Sequence, residues 1–171
     1  MTHGKFVVFA PALLALTLAG CGSSTPEVVY SCPQPFTVQD AERLTHFKDG
    51  PGRDPRDIAY EAAIVGAGTK CSLNRNQLDV TLYLRVSASA GPSASAGRTS
   101  VPYFVRVLDS ANNVVQSQDF YADFRLTAGN PRGSSQEELT FVVSADGGYR
   151  IAVGLKPTPE ELNYNRQGRQ P

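Results

Sequence analysis

Short runs of alternating apolar and polar residues, broken at roughly ten-residue intervals by turn-forming clusters, predict a mainly β chain folded as two packed antiparallel sheets. Residues 78–86 alternate strictly, with Leu78, Val80, Leu82, Leu84 and Val86 set against Asp79, Thr81, Tyr83 and Arg85. Few of the 15 glycines and 12 prolines lie inside such runs, which is how a turn-rich β domain uses them. A chain 41% hydrophobic and 19% charged buries a core, so a disordered tail or a fibre is excluded.

Residues 28–38 carry Pro33 and Pro35 and fit an extended edge segment. Val38, Ala41, Leu44 and Phe47 recur every third residue, so residues 37–47 predict a short N-terminal helix capped by Thr37 or Asp40. Residues 48–57 then break regular structure with glycine, proline and charge. Residues 58–65 are the first predicted strand, closed by Gly66-Ala67-Gly68, and residues 78–86 the second. Residues 87–100, almost all Ser, Ala and Gly, predict a long loop, read either as a tolerated connection or as a mobile or glycan-bearing lid. Residues 101–109 form a third strand with Tyr103, Val105 and Val107 on one face. A turn at residues 110–113 returns it into residues 114–126, with irregularity expected near 119–123. After a loop at 127–135, residues 139–143 and 149–155 predict a hairpin across the glycine pair Gly147-Gly148. Thr158, Pro159 and Glu161 spell a capping box opening a C-terminal helix that ends near Tyr164, with residues 166–171 as a frayed tail.

The first residues carry a different signal. Lys5 precedes an apolar run at residues 6–18, the length of a secretory leader and too short to span a bilayer. Leu18-Ala19-Gly20-Cys21 follows, and this resembles the lipobox of bacterial lipoproteins. The resemblance implies diacylglyceryl transfer to the Cys21 sulfur, cleavage between Gly20 and Cys21, and acylation of the new amino group. Multiple acyl chains would anchor the mature protein to a membrane without spanning it. Gly22, standing where an Asp retains many such proteins at the inner membrane, implies the outer membrane facing the periplasm. The expected organisation is a signal peptide at 1–20, a lipid-anchored tether and edge segment at 21–35, a sandwich with flanking short helices at 36–165, and the tail.

With Cys21 acylated, Cys32 and Cys71 remain as an even pair in an oxidising compartment, where a disulfide is the expectation. Other chemistry is sparse. Sixteen basic residues balance sixteen acidic ones, so no broad field recruits nucleic acid. After leader removal His46 is the sole histidine, which leaves a zinc site short of ligands and an acyl-transfer triad short of a base. No glycine-rich phosphate cradle or nucleophile elbow occurs, and no cofactor is expected. Asp54, Asp57 and Glu61 are the carboxylates nearest to an acid/base pair or a cation site, although Arg53 and Arg56 beside them favour local ion pairing. Glu137 and Glu138 read as solvated. Tyr83, Phe104, Phe120, Tyr121 and Phe124 read as core or inter-sheet packing, or, where uncovered, as a contact for protein or peptidoglycan.

The lipobox, the cysteine pair, the Asp40-Ala41-Glu42-Arg43-Leu44-Thr45-x-Phe47 segment and the Thr158-Pro159-Glu160-Glu161-Leu162-x-Tyr164-Asn165 ending together resemble small proteobacterial lipoproteins of unassigned activity. That resemblance transfers no functional residues. Analogy to immunoglobulin and fibronectin type III sandwiches implies a non-enzymatic binding or structural module that contacts envelope proteins or the cell wall. Two other readings stand beside it: an accessory subunit of a secretion, transport or assembly complex, and a carboxylate-dependent hydrolase of envelope glycans or peptides.

Overall fold

A computed structural model describes Met1 and residues 30–167, so the leader, Gly20, Cys21 and the end of the tail lie outside the described residues. The strands are β1 (Gln34–Thr37), β2 (Arg43–Phe47), β3 (Ile58–Asn74), β4 (Gln77–Ala90), β5 (Gly97–Leu108), β6 (Val114–Leu126), β7 (Arg132–Ser144) and β8 (Arg150–Leu155), followed by the helix α1 (Pro159–Gln167). They form two four-stranded sheets, ordered β1-β8-β5-β6 and β2-β3-β4-β7. Every pairing is antiparallel except β1 with β8.

The alternation of β4 sets the layers. Leu78, Val80, Leu82, Leu84, Val86 and Ala88 all turn inward and are buried. They meet Val101, Tyr103, Val105 and Val107 of β5 and Ile151, Val153 and Leu155 of β8 in one continuous core. Each such aliphatic side chain removed from water is worth roughly 1.5–3 kcal/mol before entropy is subtracted. Cys32 and Cys71 form a disulfide with Cα atoms 5.7 Å apart. Beside it the Thr69 hydroxyl donates to the Pro33 carbonyl at 2.8 Å, so the segment entering β1 is stitched to β3 twice.

Several expectations change. Residues 37–47 hold no helix: Ala41 N–H closes a turn onto Val38 O (3.0 Å), Asp40 takes φ 66°, and β2 follows. Leu44 faces the core while Thr45 and Phe47 are buried beneath α1, so a strand covered on both faces loses its period-two signature. Gly66-Ala67-Gly68 does not close β3. A bulge between Ile64 and Gly66 leaves Val65 56% exposed, and the strand runs on through Cys71. The Ser/Ala stretch is mostly sheet: β4 extends to Ala90 and β5 begins at Gly97, with Ala88 buried and Ser87 and Ser89 on the outer face. Residues 119–123 pair regularly with β5, and the irregularity falls instead between Val107 and Leu108. The loop after β6 is shorter than expected because β7 begins at Arg132.

The predicted 139–155 hairpin does not form either. β7 pairs with β4 and β8 with β5, so residues 145–149 cross between sheets, with Gly147 and Gly148 at φ 88° and 82°. The capping box is as expected. Thr158 N–H donates to the Glu161 carboxylate (2.7 Å), and Glu161 N–H donates to the Thr158 hydroxyl (3.3 Å). The helix continues past Tyr164 to Gln167.

The outermost strands β6 and β7 lie on the same side of the sandwich. Glu137 stands opposite the inward Leu84 and accepts from the Ser135 hydroxyl at 2.5 Å. Burial, with the charge and hydrogen bond of Glu137 added, holds the Tyr103 hydroxyl far above its ordinary pKa. An inward carboxylate on an outer strand opposes edge-to-edge aggregation.

Replacing both Cys32 and Cys71 by Ser opens a loop of sequence separation 39 and lowers unfolding stability in urea by roughly 4 kcal/mol on the chain-entropy model. An unchanged midpoint on adding reductant to the native protein would contradict it. A Cβ on Gly91 would drive into the Ile58 carbonyl, whereas one on Gly129 meets nothing within 4 Å. Gly91→Ala therefore costs about 2 kcal/mol and Gly129→Ala almost nothing, and equal midpoints for the two would refute the close approach.

Candidate functional site

A groove on the described residues lies where α1 packs against β2, the edge strand of the second sheet. The helix is clamped to β2 by side chains of both signs. The Glu161 carboxylate, only 5% exposed, meets His46 Nδ1 at 2.7 Å. The His46 ring stacks on Tyr60 at 4.7 Å. Burial, then the nearby Glu161 charge, pushes the Tyr60 hydroxyl up to about 12. Phe47 meets the Tyr164 ring edge-on at 4.9 Å, Asn165 Nδ2 donates to the Arg43 carbonyl at 3.0 Å, and Arg166 pairs with Asp40 at 3.0 Å. Arg53 lies over the Phe47 ring and pairs with Glu160. His46 is thus a structural clamp on a strand, with its ring nitrogen committed to a carboxylate.

Beside this clamp runs an open groove of about 820 Å³. Its floor is the small-residue end of the outer face, where Ala63 stands beside Ser87 and Glu61 beside Ser89. Arg43 and Tyr164 border it on the helix side and Arg132 on the far side, where Arg132 pairs in register with Ser89. Among the described residues Arg43, Glu61 and Arg132 have no side-chain hydrogen bond and no ion pair.

The outer face of the first sheet differs. Asp119 takes Lys156 at 2.5 Å and Arg106 at 2.7 Å, and Asp123 takes the Ser100 hydroxyl at 2.5 Å with Arg98 at 3.7 Å. Arg106 also covers the Phe104 ring at 5.0 Å, and Arg150 covers Phe36 at 5.1 Å. The Lys156 and Arg106 hydrogen bonds hold the Asp119 carboxyl below its ordinary pKa. Most charges here pair with one another, and Arg125, in register with Arg98, has no side-chain partner among the described residues.

The sequence candidates fall in scattered places. Asp54 caps the 3₁₀ turn at Pro55–Asp57, and its carboxyl is lowered first by the Arg56 side chain and then by the Arg56 backbone N–H. Asp57 is lowered mainly by Lys48, which it pairs at 2.7 Å. Glu61 stands on β3 in the groove, so the three carboxylates serve separate surroundings and form no joint site. Among the described residues no group of three or more His, Cys, Asp or Glu could hold a metal ion. Of the aromatic set, Phe124 is buried, Phe120 stacks on Tyr103 at 5.4 Å, Tyr83 and Phe104 are half-buried, and Tyr121 is 68% exposed. No helix among the described residues is long and apolar enough to cross a membrane. Sequence reasoning missed Arg43, Ser87, Ser89 and Arg132 as neighbours. Their signal was the alternation of Ser87, Ala88 and Ser89, which continues the inward and outward pattern of β4. No protein-family model, curated protein or solved structure matches the chain.

Acid should weaken the first-sheet network in a defined direction. Unfolded Asp takes up protons near pH 4, whereas folded Asp119 resists until lower pH, so its stabilisation is full at neutrality and vanishes as pH falls through the depressed value. Asp119→Asn accordingly melts below the native protein at pH 7, and the gap narrows as pH falls below the ordinary carboxylate range. A gap independent of pH would exclude charge as its cause.

Proposed function

We propose that this protein is a non-enzymatic envelope lipoprotein, held to a membrane through acylated Cys21 and binding an envelope protein or the cell wall. Outer-membrane attachment facing the periplasm is the placement that Gly22 favours. The observation that carries the binding role is one groove lined by three charged side chains that have no partner among the described residues. Arg106, Lys156, Asp119 and Asp123 are paired within the first sheet, while Arg43, Glu61 and Arg132 are left without partners around a groove of the second. Charged groups that find no partner within their own chain and converge on a concavity are available to an external ligand.

The sandwich supports this by analogy with immunoglobulin and fibronectin type III domains, which present ligands from a rigid two-sheet frame. A hydrolytic role is less well supported. Asp54 and Asp57 are stabilised in their ionised form by Arg56 and Lys48, which makes either a poor proton donor at neutral pH.

Fractionation of cells tests the anchor: the native protein sediments with membranes, and Cys21→Ser appears in the soluble periplasmic fraction. Membrane retention of Cys21→Ser would remove the lipid from the account. A photo-crosslinking residue in place of Tyr83, on the second sheet, gives envelope adducts, whereas one in place of Tyr121 does not. Adducts from the Tyr121 position alone would assign binding to the wrong face.

A further inference from the structure

We infer that the groove between α1 and the second sheet binds a short peptide in which one ammonium lies between carboxylates, the chemistry of the stem peptides of the bacterial cell wall. This deepens the binding role proposed above and rests on it. Spacing and sign decide what the groove can hold. Arg43 is on β2, Glu61 on β3 and Arg132 on β7, and register places Glu61 and Arg132 in one row across Ser89, with Arg43 two residues along in the next. With strands about 4.8 Å apart and residues about 3.3 Å apart along them, the Glu61 backbone lies roughly 8 Å from that of Arg43 and 10 Å from that of Arg132. The two arginines are then about 15 Å apart, the length of a four- or five-residue extended peptide.

Glu42 also lines the groove but is engaged in an interaction of its own, so the order among Arg43, Glu61 and Arg132 is cation, anion, cation, and its complement is anion, cation, anion. A guanidinium suits a carboxylate because its planar donors can grip both oxygens. A polyanion would meet Glu61 and Glu42 within the same groove. A neutral glycan would hydrogen-bond these groups but leave their charges uncompensated. The floor suits a peptide backbone as well: Ala63, Ser87 and Ser89 are small enough to let it approach, and the two serines offer hydroxyls to its amides.

The test is calorimetric titration of the mature lipidated protein in nanodiscs with a synthetic tetrapeptide, N-acetyl-L-Ala-γ-D-Glu-meso-diaminopimelate-D-Ala, whose one ammonium is the side-chain amine of diaminopimelate. Saturable binding that weakens with added salt is expected. Acetylating the side-chain amine of diaminopimelate, on a peptide whose N-terminus is already blocked, weakens it about tenfold or more. Glu61→Gln weakens the native peptide by a similar factor and leaves the acetylated peptide unchanged, while Arg43→Gln and Arg132→Gln weaken both. These side chains make no pairings in the fold, so the variants keep the native melting temperature. Co-sedimentation with purified cell-wall sacculi separates the polymeric source from released peptides. Absence of tetrapeptide binding, or equal affinity for the native and acetylated forms, overturns the inference. If Tyr83-position adducts to an envelope protein persist in that case, the general binding role stands without it; if they are lost too, both fall.

Discussion

The inward row on β4 is the constraint on which the rest of the molecule depends. Leu78, Val80, Leu82, Leu84, Val86 and Ala88 are all buried, and β4 is flanked by β3 and β7 over nearly its whole length. Because side chains alternate with a strict period of two, fixing this row inward fixes Asp79, Thr81, Tyr83, Arg85, Ser87 and Ser89 outward. A slip of one residue would put Asp79 and Arg85 into the core and remove both hydroxyls from the groove floor. The position of the candidate site is therefore a consequence of core burial. The same logic assigns Glu61 to the outer face, since it pairs with Ser89 between the inward Tyr60 and Ala62.

Legibility in the sequence followed the number of faces a segment buries. β4 and β5 bury one face through long stretches, and their alternation could be read directly. The capping box of α1 was legible for another reason: Thr158, Pro159 and Glu161 interact within four residues of chain, so no tertiary knowledge was needed. β2 was read as a helix because Leu44 is buried by the sheet while Thr45 and Phe47 are buried by a helix more than a hundred residues away. Burial on both sides erases the alternation, and the remaining spacing of three mimics a helical stripe. The glycine pair before β8 was read as a hairpin because positive φ marks a turn without saying whether the chain returns in its own sheet or crosses to the other.

The candidate site divided in the same way. Parity, with the compartment expected from the leader, was enough to read Cys32 and Cys71 as a pair, since a bridge depends on which thiols exist more than on the path between them. Arg43, Glu61 and Arg132 come from three strands, and no local pattern joins them. Their lack of partners among the described residues is a property of the fold, as is the way Asp119 gathers Lys156 from beyond β8 and Arg106 from β5. Twelve arginines spread along a chain are uninformative until the fold sorts the satisfied from the unsatisfied.

The disulfide adds a geometric relation between tether and groove. Cys71 stands opposite Val80, whereas the groove floor on β3 is at Glu61 and Ala63, opposite Ser89 and Ser87. Eight residues of strand separate Ala63 from Cys71, which at about 3.3 Å each is roughly 25 Å. The chain leading back toward Cys21 therefore joins the domain at the end remote from the groove, and Thr69 donating to Pro33 fixes the direction of approach. The eleven residues from Cys21 to Cys32 can span at most about 40 Å. On the proposed anchor, the domain stays within that distance of the bilayer with its groove free to point away from it, and reducing the bridge would release Cys32 from β3 and loosen this orientation. A tether joined at the groove end would instead bring the unpaired arginines toward the membrane, where anionic headgroups compete for them. On the proposed anchor, the bridge both stabilises the sandwich and holds the tether's point of entry away from the groove.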